Sequence, residues 1–165
     1  MIGMESALVA QTHEIVPEMI QLVTFMLGEE EYGVNVLQVR EIIRVPDITR
    51  VPNTSHYVEG VINLRGKVIP VMSMRKRFGL GLEEFDSRTR VIVMEFADEL
   101  MGFLVDAVSE VIRISPGEIQ PPPAAVTSGI DQECMGGVIN LADRLIIVLE
   151  LDKIALREDT LMLGH

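Results

Sequence analysis

Gly60-Val61-Ile62-Asn63-Leu64 recurs 77 residues later, letter for letter, as Gly137-Val138-Ile139-Asn140-Leu141. In the same register Ile69 and Val71 fall on Ile146 and Val148. Upstream, a slide of 69 residues sets 36–44 (VLQVREIIR) over 105–113 (VDAVSEVIR) with five of nine positions identical, and sets Gly33 over Gly102. Apolar strands match by chance, but here Glu41 also meets Glu110, Asn63 meets Asn140, and the order of the segments is kept. The chain reads as an internal duplication. The registers differ by 77 − 69 = 8 residues, which places an insertion in the connector of the second copy, where Pro121-Pro122-Pro123 stands.

Around this repeat the turn signals divide the chain into short elements. Strands are expected over 20–28, 32–36, 58–64, 67–72, 90–96, 100–105, 138–141 and 145–151, with the acidic triplet Glu29-Glu30-Glu31 as a solvated turn. Val36, Val39, Ile42 and Ile43 are spaced at three and four, which predicts a helical turn before the extended stretch that leads into Pro46. Short helices are expected over 73–78, closed by Gly79, and over 152–158 at the C-terminal end, with Asp152 near its N-cap. Residues 1–17 read as a loose leader. The expected division is 18–88 for the first half and 89–158 for the second. About five strands per copy suffice to close a small barrel and remove exposed sheet edges, so the architecture derived is all-β, two small barrels packed together.

Composition agrees. The 165 residues include 20 Val and 17 Ile against 8 Ala, a balance that favours pleated sheet. With 48% apolar and 24% charged residues the chain is a folded globular protein long enough to bury about 70% of its unfolded surface. The formal charge of −11 argues against nucleic acid and anionic membrane as partners, because both are held chiefly by Lys and Arg. No secretory signal and no apolar run of membrane-spanning length is read, so the expected location is the cytoplasm, without direct membrane insertion. Cys134 is the only cysteine, which excludes an intrachain disulfide and a cysteine zinc cage.

Catalytic chemistry is not legible. His13, His56 and His165 form no ligand or acid–base spacing, no serine sits in a Gly-x-Ser-x-Gly elbow, and Gly66-Lys67 lacks the rest of a phosphate loop. A hydrolase using Ser73 or Ser109 would need a base that is not supplied. No enzyme, cofactor or metal is expected. What remains is binding, and Asn63-Leu64-Arg65-Gly66 is the most suggestive site: glycine permits a tight turn and Arg65 presents a planar fork of donors at its apex. The matching turn of the second copy, Ala142-Asp143-Arg144, differs in sign at the apex.

These motifs together resemble the CheW-type coupling proteins of bacterial chemotaxis. The resemblance runs from about Gln21 to Ala155. It includes Glu30-Glu31-Tyr32-Gly33, Val36-x-x-Val39-x-Glu41-Ile42, Gly60-Val61-x-Asn63-Leu64-Arg65-Gly66-x-x-x-Pro70-Val71, Val105-Asp106-x-Val108-x-Glu110-Val111 and Asp143-Arg144-Leu145-Ile146. It implies two SH3-like five-stranded barrels, no enzymatic activity, and a scaffold that joins the cytoplasmic tips of transmembrane chemoreceptors to the regulatory domain of the histidine kinase CheA. That regulatory domain is similar in fold, so pseudo-symmetric contacts are implied, including contacts with other CheW-like copies in an array at the inner membrane. Carried onto this sequence, Val39, Glu41 and the Asn63-Leu64-Arg65-Gly66 turn belong to binding surfaces of the first barrel. Val108 lies in the second copy near the groove between barrels that takes the receptor tip. Ser73 departs from the family pattern, which usually has an acid there, and the Pro-rich stretch, with Gln120 and Ala124-Ala125, lacks charged and aromatic contact residues. The length leaves no room for a receiver or kinase domain, so a stand-alone coupler is expected. The competing reading is a small-ligand β protein whose pocket lies between the barrels and is lined by the ten methionines.

Overall fold

Runs of Val, Ile, Leu and Phe broken by two-residue turns give ten strands among the residues that the structure, a computed structural model, describes: 18–81, 84–122 and 134–154. They are β1 (Ile20–Leu27), β2 (Glu30–Asn35), β3 (Val39–Arg44), β4 (Val58–Leu64), β5 (Lys67–Ser73), β6 (Arg90–Phe96), β7 (Glu99–Val105), β8 (Ala107–Ile114), β9 (Met135–Leu141) and β10 (Arg144–Leu149). One short helix, α1 (Met74–Arg77), follows β5, and residues 151–154 form a second helical turn. Of the C-terminal helix expected over 152–158, the part beyond residue 154 lies outside the described residues, as do the leader over 1–17 and the connector from Pro123 to 133.

The strands make two five-stranded sheets, ordered β8-β1-β2-β10-β9 and β3-β6-β7-β5-β4. The duplication maps β1–β5 onto β6–β10. Each sheet therefore takes its first two strands from one copy and its last three from the other, and applying the mapping to one sheet order reproduces the other. This corrects the expected division at 88/89, since neither half of the chain holds a complete sheet. Parallel pairing of β2 with β10 and of β5 with β7 ties the exchanged segments together. The two halves share one local pattern, so either pairing would bury the same faces, and local sequence cannot choose between them.

Three apolar cores result. One lies within each sheet: Leu22, Ile112, Ile139, Ile146 and Val148 in the first, and Val91, Ile62, Ile69 and Val71 among their repeat mates in the second. The third and largest fills the space between sheets with Phe25, Tyr32, Phe96 and Phe103 and with the buried Met72, Met74, Met94 and Met101. These methionines are packing. Two surface cavities among the described residues, of about 550 and 540 Å³, lie on the flanks of single sheets and have no methionine in their linings, which gives no support to a methionine-lined ligand pocket there.

Two local expectations change. Val36–Gln38 is a single 3-10 turn, but 39–44 is strand β3, with half-buried Val39, Glu41 and Ile43 alternating with exposed Arg40, Ile42 and Arg44. Ile42, exposed on an end strand, had made the spacing look helical. Likewise the first turn is Gly28-Glu29, not the acidic triplet, and Glu31 stands inside β2.

The repeated pentapeptide owes its glycine to a crossing of chains. Thr49 and Val61 exchange backbone hydrogen bonds of 2.9 and 2.8 Å, and Gln120 and Val138 do the same at 2.9 and 2.8 Å. Gly60 and Gly137 sit beside these crossings at φ 148° and 149°. A Cβ at Gly60 would collide with the Thr49 carbonyl, and one at Gly137 would lie 2.8 Å from the Gln120 oxygen. The repeat offset is 69 at Arg44/Arg113, 71 at Thr49/Gln120 and 77 at Val61/Val138, so the insertion is two residues before the crossing and six after it.

Candidate functional site

Arg65 and Gly66 form the two-residue loop between β4 and β5, both at positive φ (52° and 86°). That suits the twist of a hairpin, although such loops favour Asn-Gly because only glycine and asparagine take this conformation easily. Asn63 lies on the exposed face of β4, and its Oδ1 accepts a 2.9 Å hydrogen bond from the Gly66 amide, so it closes the turn. Leu64 anchors the hairpin by packing on the core of its own sheet. The Arg65 side chain, 72% exposed, reaches the Glu41 carboxylate of β3 through Nη2–Oε2 and through an Nη1–Oε1 contact of 3.4 Å. Two of the expected binding residues, 24 positions apart, thus meet as an ion pair at the surface. Val39, two residues from Glu41 on β3, and its repeat mate Val108 on β8 both pack half-buried against the core between sheets.

The sheet β8-β1-β2-β10-β9 holds an arrangement that the sequence reading missed. Arg144 donates from Nη1 to Glu110, the repeat mate of Glu41, at 2.5 Å, and from Nε and Nη2 to Glu31 at 3.1 and 2.5 Å. Arg144 is the repeat mate of Lys67, not of Arg65, so the two copies place an arginine on the same glutamate from different turn positions. The equivalence of Glu41 and Glu110 was the available signal; the shift of the arginine concealed it. Hydrogen bonding to Arg144 holds the Glu31 carboxyl below its ordinary range against an opposing desolvation, and the two carboxylates push the Arg144 guanidinium upward. The difference in apex sign between the copies is real, but both hairpins end in a Glu–Arg pair. Exposed apolar residues follow the same symmetry: Ile42 corresponds to Val111 and Val68 to Leu145, all four solvent-facing on the two sheets.

Ser73 has a structural answer. Its hydroxyl caps α1 by accepting from the Lys76 amide at 3.2 Å, and the Lys76 ammonium finds its carboxylate in Glu59 at 2.9 Å. In the second copy the equivalents are Glu150, Lys153 and Gly136, and there Lys153 pairs with Glu150 at 3.4 Å. The carboxylate has moved from one strand to its neighbour. Nearby, Asp106 accepts from Arg75 Nε at 2.8 Å and from the Gly28 amide at 2.7 Å, so it links the first turn of one sheet to α1 on the other. Among the described residues no cluster of three His, Cys, Asp or Glu side chains could hold a metal ion, and no helix is long and apolar enough to cross a membrane.

Comparison with known proteins gives a consistent picture. A family model described as the CheW-like domain matches residues 21–159. The chemotaxis protein CheW of Helicobacter pylori is 37% identical over 137 residues, covering 83% of this chain and 82% of that one. That of Treponema pallidum is 36% identical over 141 residues, covering 83% and 82%. Among solved structures, the scaffolding protein TtCheW from Thermoanaerobacter tengcongensis superposes with a TM-score of 0.75 at 40% identity, over 84% of this chain and 89% of that one.

Proposed function

The chain belongs to the CheW-like family, and from that premise we propose that it is a non-enzymatic coupling scaffold of bacterial chemotaxis. It joins the cytoplasmic tips of transmembrane chemoreceptors to the regulatory domain of the histidine kinase CheA, in the cytoplasm at receptor arrays on the inner membrane. The observation that carries this reading is the exposed Glu41–Arg65 pair. Arginine at a positive-φ turn position is conformationally unfavourable and stabilises no core, which is expected of a residue kept for a contact outside the molecule. Asn63, Leu64 and Gly66 hold the turn that presents it; Val39 belongs with Glu41 to the binding surface of the first barrel, and Val108 in the second copy to the side that takes the receptor tip. The matched pairs Ile42/Val111 and Val68/Leu145, each beside a Glu–Arg pair of its own sheet, suit partners that assemble by pseudo-symmetric contacts, other CheW-like copies included. The test is titration of the purified chain with the kinase regulatory domain, with a receptor cytoplasmic fragment and with both together. Binding of each separately and a ternary complex are expected. Absence of binding to either partner overturns the reading.

A further inference from the structure

Arg44, the last residue of β3, stands directly opposite Arg90, the first residue of β6, in the antiparallel register. Residues so paired share one face of the sheet with Cβ atoms about 5 Å apart, and like charges there destabilise it. The duplication contains its own comparison: Arg113, the repeat mate of Arg44, faces Gln21 of β1. The fold thus accepts a neutral residue at the position where the other sheet has a second arginine. Nor is the repulsion relieved internally. The Arg44 side chain has no ion pair or hydrogen bond among the described residues, and the same holds for the Arg50 side chain. Arg90 donates from Nη1 only to neutral acceptors, the Ser87 and Thr89 carbonyl oxygens, each at 2.8 Å.

All three arginines line one groove of about 550 Å³ whose apolar wall includes Ile48 and Phe85. Three carboxylates also line it. Glu59 is engaged by Lys76 and Asp86 by Arg88, which leaves Asp47 against three arginines without carboxylate partners. On a chain of net charge −11 this is a local concentration of uncompensated positive charge. We propose that the groove binds an extended acidic peptide segment of a protein partner, with carboxylates on Arg44, Arg90 and Arg50 and an apolar side chain against Ile48 and Phe85. A small inorganic anion would leave the apolar wall and most of the volume unfilled. Arginine forks flanking an apolar wall match alternating acidic and apolar side chains. This inference does not rest on the coupling function.

The experiment is a fluorescence-anisotropy titration of the full chain at low salt with a labelled heptapeptide, Glu-Leu-Glu-Pro-Glu-Leu-Glu, beside its Gln-for-Glu counterpart. The acidic peptide is expected to bind and the neutral one not. The double variant Arg44→Gln/Arg50→Gln should weaken binding about tenfold or more, the scale of losing charge-assisted hydrogen bonds. Arg113→Gln, which removes a positive charge from the opposite sheet, should leave it unchanged, and Arg44→Gln alone should melt no lower than the wild type because it removes a like-charge contact. The inference is overturned if the acidic peptide fails to bind, if Arg113→Gln weakens it as much as the double variant, if inorganic phosphate displaces it at equal concentration, or if Arg44→Gln lowers the melting temperature markedly.

Discussion

Arg65 carries the conformational strain of a non-glycine residue in the left-handed region, and an ion pair this exposed, screened by solvent, returns little of it. Replacing Arg65 by Ala is therefore expected to change stability by less than about 1 kcal/mol, while binding to the kinase regulatory domain or the receptor fragment weakens by about 2 kcal/mol, or thirtyfold. Arg65→Lys should recover only part, since an ammonium cannot reproduce the bidentate fork. Titrations with thermal melts of each variant decide: unchanged affinities would leave Arg65 a turn residue alone, and lost binding with a large fall in melting temperature would show a folding role. Glu31 makes the opposite case, a charge held for the fold. Its folded pKa lies below the ordinary 4.5. The stability it contributes is complete above that value and is lost as pH falls through the lowered one. Wild type should melt higher than Glu31→Gln at pH 7, with the gap closing on acidification below about pH 4.5; a gap that does not change with pH would contradict the assignment.

At the scale of an element, the glycines rank themselves. Gly60 and Gly137 meet two obstacles, a backbone conformation closed to side chains and a crossing strand in the way. Gly117, in the 3-10 turn Pro116–Glu118, has nothing within 4 Å of a Cβ. Chemical denaturation should show Gly60→Ala destabilised by about 2–5 kcal/mol, combining strain and overpacking. Gly137→Ala should be destabilised somewhat less, because its backbone obstacle, the Gln120 oxygen at 2.8 Å, lies farther off than the Thr49 oxygen does from a Cβ at Gly60, and Gly117→Ala should lie within about 0.5 kcal/mol of the wild type. An Ala at position 60 that left stability intact would mean that the Thr49–Val61 crossing is not maintained in solution. The Ser73 cap belongs to the same scale: one hydroxyl fixes the start of α1, and the neighbouring strand supplies the carboxylate through Glu59.

At the scale of the whole molecule, strand exchange decides how the protein comes apart. The chain passes from one sheet to the other after β2 and again after β7, so that β1 and β2 share a sheet with β8–β10, and the largest apolar core lies between the sheets. Equilibrium unfolding should therefore be a single transition. Amide hydrogen exchange under increasing denaturant should report one common opening free energy for β2 and β10 in one sheet and for β5 and β7 in the other. Two separated transitions would instead describe independent barrels.

How much of this was legible in the sequence depends on how local each feature is. Strand positions, the two-residue turns and the duplication are written in neighbouring residues and in identities at a fixed offset, so 90–96 and 58–64 could be read to the residue. Arg65 could be singled out because an arginine next to glycine in a turn is a local peculiarity, and the family resemblance rested on the same short motifs. The partner of Arg65 could not: Glu41 is 24 residues away, and its approach depends on how the sheet closes. The Glu31–Arg144–Glu110 triad spans 113 residues and uses an arginine displaced from its repeat position. Above all, tertiary structure alone decided which copy each strand joins. Both copies carry the same alternation and the same turns, so sequential and exchanged sheets satisfy every local rule equally. The choice falls to the packing of one half-chain against the other.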